Sequence, residues 1–354
     1  MKSAIDTLIS VIGKYIGDRK LVLRWKNPAV EKSIYDALNI KPVFYVTRAS
    51  HRFDNEESFS DEMLAGKSDE YYLVICPELK WNQADHDRYA KMGYTYKKDI
   101  FWLAPRAETV NANSSNFTYE DDFGNKINAK SKINVQFCGC NSSITIGENV
   151  IFPQAMIKVG NNVNLSIGSN TIISSAQFTF AEHATLQVGE RVNIAGMFFS
   201  VNVDSTVIIG NSTTIQTGKL RTGRNQRVEI GNDCMFSWDI TFIPHDGHLI
   251  WDIKTGKCTN NTTGPQRLSV KIGDHVWIGG ETVFMPNTTV GSGSICGFRS
   301  LVRGTYPNNC ILVGSPAKIV RKDIAWSRSN ISFDDNDFFK IDEDFRQLTS
   351  EDKV

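Results

Sequence analysis

Among the six histidines of the chain, His245 and His248 stand three residues apart in the polar stretch Pro244-His-Asp-Gly-His. An imidazole titrates near neutrality, so it can take a proton from a hydroxyl that attacks an electrophile and return it to a leaving group. Asp246 and Asp252 lie close in sequence, and either carboxylate would orient such a ring. Two histidines also suggest a metal, but a catalytic zinc site takes three protein ligands, and this loop offers no evident third. No metal is expected. His51, His86, His183 and His275 have no comparable neighbourhood and are read as packed or solvated residues. No cysteine nucleophile is needed if a group passes directly between two bound substrates, and the seven cysteines are scattered. Their odd number fits a reducing cytoplasm better than a disulfide framework.

These side chains must be held by the elements around them. Glycine recurs every 21 residues at Gly147, Gly168, Gly189, Gly210 and Gly231, each after Ile or Val. Six residues after that Ile or Val come Phe152, Ile173, Ile194, Ile215 and Phe236; four residues after it come Val150, Thr171, Val192, Thr213 and Cys234. Further on the period tightens to six, in the apolar row Ile272, Ile278, Phe284, Val290, Cys296 and Val302. Repeats of this kind indicate a solenoid in which each unit buries its apolar edge against its neighbours. Inward Val, Ile and Thr, broken by Gly-Asn and Gly-Ser pairs, favour strands over helices. Cys234 and Cys296 fall in inward slots and are expected in the core.

Stacked coils place residues one period apart beside each other. Subtracting 21 from His245 and His248 gives Arg224 and Arg227, so the histidines are expected to face two arginines across about 5 Å of sheet spacing. Lys219 and Arg221 extend this basic stretch in a chain that balances 39 basic against 39 acidic residues. Zero net charge gives no general attraction to nucleic acid or membrane, so a local cationic mouth would suit an anionic acceptor.

Residues 1–105 show no hexads. Apolar runs such as Leu21-Val-Leu and Tyr72-Leu-Val-Ile alternate with helix-like stretches at Ala29 to Leu38 and Asp85 to Met92. That alternation predicts a small α/β domain with a parallel sheet, Rossmann-like but degenerate. The turn after its first strand, Arg24-Trp-Lys-Asn-Pro-Ala, holds no glycine to let a backbone approach a pyrophosphate. Dinucleotide binding is therefore not expected. The organisation predicted is this domain, a linker at 106–126, a solenoid at 127–321 and a tail at 322–354 that packs as a short helix or ordered arm. The amphipathic start, Met1 to Lys20, is too interrupted by charge for a signal peptide or membrane span.

Four ordered motifs then carry a resemblance. They are Ile230-Gly-Asn-Asp-Cys-Met-Phe-Ser, Asp246-Gly-His-Leu-Ile-Trp-Asp, Ile272-Gly-Asp-His-Val-Trp-Ile-Gly and Gly314-Ser-Pro-Ala-Lys-Ile-Val-Arg. Over Val228 to Trp326 the chain resembles the hexapeptide-repeat acyltransferases, and within them the sugar and capsular-polysaccharide O-acetyltransferases. The resemblance implies a left-handed parallel β-helix, acetyl-CoA as co-substrate and a homotrimer with CoA held between neighbouring coils. It implies His248 as general base, with His245 as the second candidate. It places Trp277, Gly280, Phe298, Arg303, Lys318 and Arg321 against CoA, although Phe298, Arg299, Arg303 and Gly304 depart from the family's usual Ala-Gly and Thr-Lys. Arg224, Arg227, Asp246 and Trp251 are expected to meet the acceptor. The expected activity is transfer of acetyl to a hydroxyl of a cell-surface polysaccharide or sugar, in the cytoplasm. The alternatives are an N-acetyltransferase on a nucleotide-linked amino sugar, and a non-catalytic β-helical scaffold.

Overall fold

A computed structural model describes residues 4–24, 27–47, 58–76, 83–103, 107–152, 155–260, 267–328, 338 and 340–350. His51, and Trp25 and Lys26 of the glycine-free turn, lie outside them. The described residues divide into two compact units: Met1–Glu108 with Glu120–Asn125 and Phe137–Ser142, and the remainder.

In the first unit, five parallel strands run in the order β3-β2-β1-β4-β5: β1 Lys20–Arg24, β2 Phe44–Thr47, β3 Ser58–Ser60, β4 Tyr71–Ile75 and β5 Ile100–Trp102. Helices α1 (Ala4–Ile16) and α2 (Pro28–Leu38) cover one face, where Ile12 and Ile34 pack with Leu21, Leu23, Tyr72 and Val74. Helix α3 (Gln83–Lys91) covers the other, where Tyr89 joins Val22, Leu73, Ile75 and Trp102. A sheet buried on both faces needs continuous apolar strands, and the runs above supply them. Asn27 caps α2 through the Val30 amide at 3.0 Å, with Pro28 in the first turn. Arg24 and Asp85 form a buried ion pair at 3.0 Å, and Asp61 binds Arg88 at 2.6 Å and the Tyr89 hydroxyl at 2.9 Å.

Beyond the boundary expected at 105, two short segments, Glu120–Asn125 and Phe137–Ser142, also belong to this unit. Asp122 accepts from Lys14 at 2.5 Å and Tyr15 at 2.9 Å, Asn141 accepts from Thr7 at 2.8 Å, and Phe123 stacks on Phe101. The segment expected as a linker carries two strands, β6 Glu108–Ala112 and β7 Phe117–Glu120. The run of Asn and Ser residues at Asn113–Asn116 is the turn between them.

The second unit is the expected left-handed parallel β-helix. Its strands stack with the predicted offset of 21: Ile144 on Leu165, Leu165 on Leu186, Leu186 on Val207 and Val207 on Val228. Three sheet faces alternate with three corners. The recurring glycines do not adopt the left-handed conformation at their corner. That falls two residues later, on Asn149, Asn170, Arg191, Ser212 and Asp233, with φ between 53° and 59°. The glycines are needed for close approach, since a Cβ on Gly210 would lie 2.5 Å from the Gly231 carbonyl carbon.

The small-residue row does more than fit a crowded slot. Thr171 Oγ1 donates to Gly189 O at 3.1 Å and accepts the Val192 N–H at 3.2 Å; Thr213 does the same for Gly231 O at 2.8 Å and Cys234 N–H at 3.1 Å. Each hydroxyl thus ties its coil to the next at a corner whose backbone groups would otherwise be buried unpaired. Inward aromatics stack at the same spacing, as Phe178 on Phe199 at 4.9 Å and Phe242 on Phe284 at 4.8 Å.

Two features break the period. Between Phe236 and Ile240 one extra residue enters, so the offset changes from 21 on the second face (Thr214 on Met235) to 22 on the third (Lys219 on Thr241). After Phe242 the chain leaves the solenoid and returns at Arg267–Ile272, which pairs with Gln226–Ile230. At the end, Ile311–Gly314 and Ala317–Arg321 form an antiparallel hairpin, and the tail holds a short 3₁₀ turn at Glu343–Phe345. His275 is packed as expected, between Asp233 at 2.6 Å and the Trp326 carbonyl at 2.9 Å, stacked on Trp326. Among the described residues no helix is long and apolar enough to cross a membrane.

Gly210→Ala drives a methyl into the next coil's backbone, and overpacking of this kind costs about 1–3 kcal/mol. A lowered denaturation midpoint with an unchanged m-value is expected. A midpoint equal to that of the wild type would mean the corners have slack.

Candidate active site at the solenoid corner

The histidines sit where the chain leaves the solenoid. Strand Ile240–Phe242 ends the third face, and the excursion begins with Ile243-Pro-His-Asp-Gly-His. Because the offset here is 22, His245 stacks on Gly223. A Cβ on Gly223 would lie 2.8 Å from the His245 Cβ, so that position admits no larger residue without movement. Gln226 fixes the floor: its Nε2 donates to Pro244 O at 2.5 Å and its Oε1 accepts the Gly223 N–H at 2.7 Å.

An open cleft of about 490 Å³ results, lined by Arg224, His245, Asp246, His248, Asn287 and Arg303 among others. His245 is half-buried and His248 exposed. Among the described residues neither imidazole is hydrogen-bonded, so both nitrogens of each remain open to a substrate. The two candidate orienting carboxylates have other duties. Asp252 accepts from the Thr255 N–H at 2.7 Å and Oγ1 at 2.9 Å, and the Thr255 backbone bond, then its hydroxyl, holds the carboxyl below its usual range. Asp246 Oδ2 accepts from Asn260 at 3.0 Å.

The register corrects the expected pair of arginines. With an offset of 22 rather than 21, Arg224 lies beside the His245 position rather than under it, and it still lines the cleft. Its Nε stands 3.5 Å from Asp204, which also meets His183 at 3.0 Å. Arg227 does not line the cleft. It sits in strand Gln226–Ile230 and pairs with Glu229 at 2.5 Å, two residues on and on the same outward face. Arg303, expected against CoA, stands in the cleft with the histidines. Trp251 is exposed on the excursion, bridged to Cys258, and is not part of the cleft lining.

The other expected CoA residues occupy different places. Trp277 lies on the outward second face between Met235 and Ile295. Gly280 and Phe298 lie at the corner that follows it. There Gly280 leaves room for Trp238, whose ring would be 2.8 Å from an added Cβ, and Phe298 packs 6.3 Å from the same indole. Lys318 and Arg321 are exposed on the final hairpin strand. One face, including Val283–Phe284, separates Gly280 from Pro286 and the histidine cleft. Trp238 and Asn260 were not foreseen. Trp238 follows an inward phenylalanine by two residues at a corner, which is a readable position for an outward aromatic.

Burial pushes the Cys234 thiol up to about 12 and the Cys296 thiol higher still, which disfavours thiolates there. Among the described residues no group of three His, Cys, Asp or Glu converges as a metal site.

No family model matches the chain. A polysialic acid O-acetyltransferase of Escherichia coli O1:K1 / APEC is 32% identical over 118 residues, 33% of this chain and 37% of that protein. WbbJ of Escherichia coli (strain K12), a proposed lipopolysaccharide biosynthesis O-acetyl transferase, is 32% identical over 101 residues, 27% of this chain and 51% of that protein. The chain thus spans about a third to a half of the lengths of these relatives. The crystallographic structure of the polysialic acid O-acetyltransferase OatWY superposes with a TM-score of 0.52 and 26% identity, over 57% of this chain and 94% of that one. In sequence and in fold, the chain is similar to the hexapeptide-repeat acyltransferases of the sugar and polysaccharide O-acetyltransferase branch.

Proposed function

We propose that the chain is an acetyl-CoA-dependent O-acetyltransferase acting on a hydroxyl of a capsular or other cell-surface polysaccharide. The observation that carries this reading is the exposed Asp246-Gly247-His248 turn, its imidazole unpartnered, at the mouth of a cleft that also holds Arg224 and Arg303. His248 takes the proton of the acceptor hydroxyl as its oxygen attacks the thioester carbonyl, and the departing CoA thiolate receives that proton. His245 is the second candidate for the same role. Trp277, Gly280, Phe298, Lys318 and Arg321 are assigned to CoA. They lie on a different edge from the histidines, so we assign the complete site to a homotrimer in which the CoA edge of one copy faces the histidine cleft of the next. The reaction is placed in the cytoplasm, where acetyl-CoA is made and used.

The acceptor is assigned as anionic. Of the two arginines in the cleft, Arg224 is shared with Asp204, while Arg303 has no carboxylate partner among the described residues. A guanidinium grips a carboxylate with two parallel hydrogen bonds, which orients a sugar as well as attracting it. The names of the relatives agree, since polysialic acid is itself an acid polymer.

His248→Ala is expected to lower acetyl transfer by about two to four orders of magnitude, as loss of a general base does. The measurement is turnover with acetyl-CoA and a panel of capsular polymers, free sugars and nucleotide sugars. Normal turnover in that variant beside a dead His245→Ala would move the base to His245. Labelling confined to an amino nucleotide sugar would favour N-acetylation, and no labelling at all a scaffold.

Arg303→Gln and Arg224→Gln should each raise the acceptor KM and flatten its dependence on salt, with the acetyl-CoA KM little changed. Arg227→Gln should do neither, because Arg227 already pairs with Glu229 away from the cleft. A rise in acetyl-CoA KM alone for Arg303→Gln would return that residue to CoA.

A further inference from the structure

The turn that carries His248 is held by one amide. Asn260 Nδ2 donates to Asp246 Oδ2 at 3.0 Å and to the His248 carbonyl at 2.8 Å, and Asn260 Oδ1 accepts the Ile250 N–H at 2.8 Å. Asn260 comes from the returning strand of the excursion, a hairpin closed by Thr259 N–H to Ile250 O at 2.8 Å and Asp252 N–H to Lys257 O at 2.9 Å. Among the described residues no other hydrogen bond reaches the backbone from Asp246 to Leu249. Gly247 adopts φ 79°, and neither imidazole is bonded. Its neighbours Leu249 and Ile250 are more than half exposed and contribute little packing.

We infer that Asn260 is the positioning residue of the proposed general base, setting where His248 stands in the cleft by tying its carbonyl, its Asp246 neighbour and the Ile250 amide to one side chain. This rests on the acetyltransferase reading above. Only an amide supplies two donors and an acceptor in one plane at this size. Aspartate keeps the shape but sets an oxygen against the Asp246 carboxylate and the His248 carbonyl, so two attractive contacts become repulsive. Asn260 does not touch the reacting atoms in this assignment. It acts through the turn, and a displacement of about 1 Å at a catalytic group is enough to cost about a hundredfold in rate.

The test is Asn260→Ala in the full chain, which removes the acceptor of the Ile250 N–H together with both donors, read in two ways. Hydrogen exchange of the Ile250 amide should quicken by about tenfold or more, while amides between solenoid coils, such as Gly231, keep their protection. In acetyl transfer, kcat should fall by about 10- to 100-fold, with the acetyl-CoA KM within about twofold of wild type. Unchanged exchange at Ile250 would show that the amide does not hold the turn. Faster exchange with unchanged kcat would show that it does not position the base. A wild-type protein inert toward every acceptor would defeat the acetyltransferase reading instead, and the exchange rates would still decide whether Asn260 holds the turn.

Discussion

Everything in the solenoid depends on how closely successive backbones approach at the corners. Parallel strands sit about 4.8 Å apart, and a corner must keep that spacing while the chain changes direction. The glycines allow it by lacking a Cβ where the next coil's carbonyl passes. The hydroxyls of Thr171, Thr213 and Ser205 then bridge to the following coil, Ser205 donating to Gly223 O at 2.8 Å and accepting the Gln226 N–H at 3.0 Å. That last pair lies directly beneath the cleft, because Gly223 and Gln226 are the two residues that seat His245 and Pro244. The repeat and the candidate active site therefore share one chain of contacts.

The same constraint explains why the candidate site lies at an interruption. A regular coil alternates inward and outward side chains on flat faces, which leaves no concave place for two reactants. The excursion after Phe242 supplies the missing wall. Its closure entropy grows only slowly with length, so an insertion of this size at a corner is tolerated if the flanking strands keep their pairing. Gln226–Ile230 and Arg267–Ile272 do so, with one shift of register between Arg227 and Val228. The hairpin's own hydrogen bonds, with Asn260 among them, then give the segment a defined shape without a buried core beneath it.

Much of this was legible in the residues. The 21-residue period placed the strands that end at Ile146, Ile167, Val188, Ile209 and Ile230, and the hexads placed the inward row after Ile272, because burial in a solenoid is strictly periodic. The slip to an offset of 22 was not legible. It arises in Ser237-Trp-Asp, where Asp239 takes a left-handed conformation at φ 53° and no repeating residue marks the extra position. The loss of Arg227 from the cleft was legible in principle, since Glu229 lies two residues on in a strand and must share its face. Asn260 was hidden for another reason. Its partners are 10, 12 and 14 residues away across a hairpin that breaks the repeat, so no arithmetic connects them. The strands within 106–126 were missed because they are four or five residues long and flank the Asn- and Ser-rich turn at Asn113–Asn116.

The separation of the expected CoA residues from the histidines follows from the convexity of a triangular coil. Trp277, Gly280 and Phe298 face outward on one side and corner; His245, His248, Arg224 and Arg303 face outward at another. A convex surface cannot fold back on itself to enclose a thioester, yet acyl transfer gains most when water is kept from the reacting atoms and the dipoles around them are fixed. The excursion walls one side of the cleft, and the proposed assembly takes the other from a second copy of the same surface. In the proposed homotrimer each chain supplies two half-sites and completes neither alone. The acceptor, by contrast, needs an open approach if it is a long polymer, and the cleft at the histidine corner is open.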